Sequence, residues 1–164
     1  MRTESVSIFS VSELPETIKA KVLNKYRYKF CDWFDEQARE DAKECSHMTI
    51  DEYDLDRSYI ICEFNKSAED TAKTVLENHG ESCSSYTIAS NFLSALSSLE
   101  SQPENYDSLT AMDFLEENFL EDMGAYYLNM LQSEYDYTTS DEAVTESLES
   151  NGYEFLENGN RYRK

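Results

Sequence analysis

The chain has 164 residues, 40% of them hydrophobic and 13% aromatic, with a formal net charge of −20. The aromatic content excludes a disordered acidic tail, four Gly and two Pro exclude a collagenous or loop-dominated chain, and the length suits one domain spanning residues 1–164. The charge argues against direct contact with nucleic acid or anionic lipid, because like-charge repulsion would oppose it.

In chain order, Ser5 to Phe9 alternates polar and apolar residues and predicts a short strand. Pro15 and Glu16 open a helix whose apolar face is Ile18, Val22, Leu23 and Tyr26. Phe30, Trp33, Phe34, Ala38, Ala42 and Cys45 recur at helical intervals and predict a second helix. The period then changes: Thr49 to Leu55 and Ser58 to Phe64 read as two strands joined near Asp56-Arg57. Ser67 is an expected N-cap for a helix to about Asn78, stopped at Gly80. A further helix runs from Ser84 to Leu99, and Ser101 to Asp107, with Pro103, is the clearest loop.

Asp107 or Ser108 is placed to cap the longest helix, Leu109 to Tyr135, in which Gly124 marks a bend or a close contact. Thr139 to Glu142 begins a last helix that Gly152 ends. Tyr153 to Tyr162 reads as a hairpin, with Asn158-Gly159 as a type I′ turn. The expected fold is α+β and mostly helical. It combines a small antiparallel or mixed sheet, built from the N-terminal strand, the central pair and the hairpin, with no internal repeat.

The distribution of charge is the most informative feature. Residues 74–160 hold 18 carboxylates and no Lys or Arg, whereas residues 1–73 hold 16 carboxylates against 11 basic residues. So large an imbalance opposes compaction through self-repulsion. On the long helix Asp113, Glu117 and Glu121 fall at i, i+4 and i+8, with Glu116 and Asp122 beside them. Four residues advance a helix by about 6 Å, of the order of the spacing of phosphates along a strand. Glu134, Asp136, Asp141, Glu142, Glu146 and Glu149 continue the acidity. Tyr126, Tyr135 and Tyr137 lie within or beside it, and tyrosine supplies rigid contact area at interfaces. Any one of these acids is also what the water-facing side of an amphipathic helix carries. The absence of compensating base over 87 residues is what that ordinary explanation leaves out.

Other constellations point to chemistry less directly. Asp51, Glu52, Asp54 and Asp56 gather carboxylates of a kind that can hold Mg²⁺, but no phosphate loop accompanies them. Cys45-Ser46-His47 and His79 to Cys83 contain zinc-ligand types without zinc-finger spacing, and capped turns with packed thiols are their ordinary explanation. They could support Cys/His nucleophilic catalysis only if folding brought them together. Cys31, Cys45, Cys62 and Cys83 show no CxxC spacing and are expected to be reduced and mostly buried. No stretch has the length of a membrane span, and MRTESVSIFS lacks the apolar run of a signal peptide, so a cytoplasmic protein is expected. No catalytic residue, metal or cofactor is expected.

Several segments resemble a family of small phage and prophage proteins. They are Glu13-Leu14, Asp32-Trp33-Phe34, Glu40-Asp41-Ala42-Lys43, Asp54-Leu55-Asp56-Arg57, Glu63-Phe64, His79 to Tyr86, Asn91-Phe92-Leu93, Ser140 to Ala143 and Tyr153-Glu154-Phe155. The family supplies a setting and no activity that transfers to single residues. That setting implies an anti-defence protein of the host bacterial cytoplasm, of the antirestriction or anti-CRISPR kind. The expected function is therefore non-enzymatic: the acidic face mimics nucleic acid and occupies the basic groove of a restriction enzyme or CRISPR effector. The alternatives are an adaptor that binds a host protein without mimicry, and a small metal-dependent enzyme using the Asp51–Asp56 cluster. A homodimer through the apolar side of the long helix is left open.

Overall fold

The computed structural model describes residues 6–101 and 107–163. It is α+β and mostly helical, and it gathers into two compact units. One unit takes both ends of the chain, up to Phe34 and from Ser133, and the other takes Asp35–Gln132.

The terminal unit contains a 3-10 turn at Val11–Glu13, helix α1 (Glu16–Tyr26), helix α6 (Asp141–Ser150) and strands β3 (Glu154–Phe155) and β4 (Arg161–Tyr162). Pro15 stands at the N-cap of α1, where its missing N–H costs nothing. Ser140 caps α6 by accepting a hydrogen bond from the Ala143 N–H at 3.2 Å. Both helices turn apolar stripes onto one core of Val11, Leu14, Val22, Leu23, Val144, Leu148, Tyr153 and Phe155. The Tyr26 ring meets Tyr153 edge-on at 5.5 Å. Lys29 donates to the Tyr153 hydroxyl, and the Arg161 guanidinium lies 3.7 Å above the Tyr153 ring.

The predicted N-terminal strand is reduced here to one bridge. Phe9 and Phe155 exchange N–H···O bonds of 2.8 and 2.9 Å, and Ser5 lies outside the described residues. The hairpin forms, but its turn is not type I′. Type I′ needs positive φ at both central residues, and here Gly159 has it (+82°) while Asn158 does not. Gly159 N–H donates to Leu156 O and Leu156 N–H to Asn160 O, the pattern of a three-residue loop closed by a glycine bulge. The Asn158 side chain accepts from Asn160 N–H at 3.0 Å, which stabilises that alternative.

The inner unit contains α2 (Glu36–Ser46), β1 (Met48–Asp54), β2 (Tyr59–Phe64), α3 (Ala68–Asn78), α4 (Ser84–Glu100) and most of α5 (Asp107–Thr138). β1 and β2 pair antiparallel, with a bulge at Asp51 between the Ile50–Cys62 and Glu52–Ile61 pairs. They form their own two-stranded sheet, separate from β3–β4, so the central pair and the hairpin, expected in one sheet with the N-terminal strand, form two. Ser67 accepts from Asp70 N–H at 3.1 Å and starts α3 as its sequence predicts. The stop comes at His79, one residue before Gly80, with extended backbone.

Buried alanines at 38, 42, 68, 72 and 89 let α2, α3 and α4 approach closely. Phe119 of α5 stacks between Phe64 at 5.6 Å and Phe92 at 4.4 Å. A Cβ at Gly124 would stand 3.4 Å from Ile60, so this glycine marks the close approach of α5 to β2. The expected loop at residues 102–106 lies outside the described residues.

Helix α2 starts later than the aromatic spacing predicts. Phe30 packs on Tyr153, Phe34 on Tyr135, and Trp33 is 75% exposed, so the three rings share no helical face. The helix begins only at Glu36, where Arg39 bonds back to the Asp35 carboxylate at 2.7 Å.

Candidate functional site

On α5 the buried residues Phe119, Met123, Tyr127 and Leu131 repeat every four positions and fix which side faces the inner unit's core. The same rotation carries Asp113, Glu117 and Glu121 to the opposite, exposed side, with Glu116 and Asp122 exposed beside them. Among the described residues none of these five carboxylates has an ion pair or a hydrogen bond. Like charges at i, i+4 oppose helix formation by about 0.2–0.5 kcal/mol per pair, so the row is held by packing on the other side of α5. Phe114 stands within it, 64% exposed, one turn before Glu117. The sequence-predicted site residues do not include Phe114, an apolar position outside the pattern of carboxylates and tyrosines. Its signal was its neighbours: Phe114 follows Asp113 and precedes Glu117 and Glu121 at i+3 and i+7.

The remaining predicted acids belong to the terminal unit. Glu142, Glu146 and Glu149 are exposed on α6 and, with Asp141 and Glu16, line the cleft against α1. Some of this acidity is already committed: Arg27 pairs with Asp141 at 2.6 Å, and Ser12 donates to Glu149 at 2.6 Å. Asp136 is exposed and Glu134 half-buried. The tyrosines divide in the same way. Tyr137 is 59% exposed, whereas Tyr135 is half-buried against Phe34 and Tyr126 packs against Tyr127 and the His79 ring.

The Asp51–Asp56 carboxylates do not converge. Asp51 sits in the bulge, while Asp54 accepts from Arg57 N–H at 3.0 Å and closes the β1–β2 turn. The Cys and His residues do meet in part. Asp41 and Cys45 lie one turn apart on α2, His79 ends α3, and one ligand atom from each lies within 4.8 Å of the others. His79 Nε2 stands 3.4 Å from the Asp41 carboxylate, and Nδ1 is 2.6 Å from the buried Ser85 hydroxyl. The Tyr127 hydroxyl donates to Asp41 at 3.1 Å.

Partial burial pulls the Asp41 carboxyl up, but His79, Tyr127 and Cys45 outweigh it and hold it below its ordinary value. Burial pushes the Cys45 thiol up, and the Asp41 charge adds to this. Such a thiol is not an activated nucleophile as it stands. His47 is elsewhere engaged, 3.2 Å from Lys66 Nζ, and Cys83 is half-buried at the start of α4. Of the four thiols expected to be mostly buried only Cys62 is, and burial pushes it up to about 11.

Comparisons of the chain with protein-family models, curated proteins and solved structures found no match. Among the described residues no helix is long and apolar enough to cross a membrane.

Proposed function

We propose that this protein is a non-enzymatic inhibitor that presents the acidic side of α5 to the basic nucleic-acid groove of another protein. The phage resemblance makes a bacterial defence protein, a restriction enzyme or CRISPR effector, the partner class. The observation that carries the proposal is the exposed row Asp113, Glu117 and Glu121, without basic partners among the described residues. A row of fixed carboxylates replaces phosphates at low cost, because the partner's lysines and arginines are already arranged for such charges. Phe114 supplies the apolar contact that a purely ionic surface lacks, since aromatic anchors carry much of the energy of an interface. Inhibition then works by occlusion and needs no catalytic residue. The α6 carboxylates are a second acidic surface of the same protein.

The test is capture from bacterial lysate by the tagged protein and by a variant carrying Asp113→Lys, Glu117→Lys and Glu121→Lys. The expected result is a nucleic-acid-binding partner held by the unaltered protein and lost from the folded variant. A partner held equally by both removes the α5 face from the mechanism.

A further inference from the structure

We infer that Asp41, Cys45 and His79 form a binding site for a zinc-type divalent cation, separate from the acidic face of α5. This goes beyond the inhibitor proposal and departs from the sequence-based expectation of no metal.

The ligand set comes first. A thiolate, an imidazole and a carboxylate together suit Zn²⁺, whereas Mg²⁺ and Ca²⁺ select oxygen donors alone. Geometry follows. Residues 41 and 45 are one helical turn apart and share a face of α2, and the C-terminal end of α3 sets His79 against that face. The three donor atoms lie within 4.8 Å of one another, while tetrahedral zinc with these donors holds them about 3.5 Å apart. Closing that gap calls for rearrangement of the half-buried Asp41 and Cys45 side chains about His79.

The independent observation is the state of His79. Its side chain is 5% exposed, and Nε2 is buried and makes no hydrogen bond among the described residues, its electrostatic neighbour being the Asp41 carboxylate at 3.4 Å. Buried ring nitrogens normally make a hydrogen bond, and one that makes none while standing beside a carboxylate and a thiol is placed to act as a ligand. The other nitrogen is held by Ser85 Oγ, which fixes the ring as the outer partner of a metal-bound histidine does. Tyr127 orients the Asp41 carboxylate in the same way. Binding would release the Cys45 proton to solvent as sulfur takes up the metal. Three protein donors leave a fourth position for water or a donor from a partner.

The experiment uses the full chain, freed of metal by chelation and titrated with Co²⁺ and then Zn²⁺. Unaltered protein is expected to bind one equivalent of Co²⁺ with a sulfur-to-cobalt charge-transfer band that Zn²⁺ abolishes, and to melt at higher temperature with Zn²⁺. Cys45→Ser, at a half-buried position, should lose the band and the melting shift, while Cys83→Ser keeps both. Ser85→Ala should weaken binding by about tenfold or more. Metal-free melting and far-ultraviolet circular dichroism identify variants that retain the fold. Absence of cobalt binding by the unaltered protein, or a charge-transfer band that survives Cys45→Ser, overturns the assignment.

Discussion

Gly159 shows how one atom decides a local structure. Its φ of +82° is a region that side chains strain, and an added Cβ would meet Ile18 Cγ2 at 2.9 Å and Val22 Cγ2 at 3.1 Å. Gly152 has a similar φ of +65° but nothing within 4 Å of such a Cβ. Gly152→Ala is therefore expected to cost only the backbone term, about 1 kcal/mol, and Gly159→Ala roughly 2–4 kcal/mol, read from denaturant midpoints. Equal losses would show that the hairpin does not press on α1.

Asp35 supplies a pH dependence. Partial burial raises its carboxyl, but bonds from Arg39 and Tyr53 and the guanidinium charge outweigh this and hold it below its ordinary value. A carboxyl depressed by folding stabilises fully above its unfolded value, about 3.9, and loses that contribution as pH falls through the folded value. Asp35→Asn should lower stability at neutral pH and flatten its decline in acid, measured by chemical denaturation across pH 2–7. A variant whose acid decline matches that of the unaltered protein contradicts this.

At the scale of elements, α5 separates the buried side that holds the fold from the exposed side proposed for recognition. Its buried side holds Phe119, Met123, Tyr127 and Leu131, and its exposed side holds Asp113, Phe114, Glu117 and Glu121. Phe114→Ala should change stability by less than about 0.5 kcal/mol yet weaken partner binding about tenfold or more. A large loss of stability would mean that Phe114 packs within the protein.

Elements with strong local signals were legible in the sequence. Ser67 caps α3 as read, the last helix begins within the expected Thr139–Glu142 stretch with Ser140 as its cap, and the change from helical to alternating period located β1 and β2. What the sequence did not reveal depends on where side chains end up. Phe30, Trp33 and Phe34 keep helical spacing but go to different surroundings, and the Asn158 side chain favours a bulged turn over type I′. Cys45 and His79 were visible as metal-ligand types, but their meeting depends on α2 packing against α3, which no local pattern encodes.

Across the whole molecule, net charge of −20 with a base-free stretch of 87 residues governs behaviour at a distance. Long-range attraction to a basic partner speeds association and is screened beyond about 8 Å at physiological ionic strength. Short-range contacts such as that proposed for Phe114 are little affected by salt and act mainly on dissociation. The terminal and inner units each carry exposed carboxylates, so charge reversal on α5 and on α6 tests them separately.

The most direct measurement is binding of the captured partner across a salt series, with and without competing DNA or RNA. Nucleic-acid mimicry predicts association that slows steeply with salt, displacement by the partner's own nucleic acid, and loss of both effects in the α5 charge-reversal variant. Binding that is indifferent to salt and undisturbed by nucleic acid would contradict it and make the protein an adaptor.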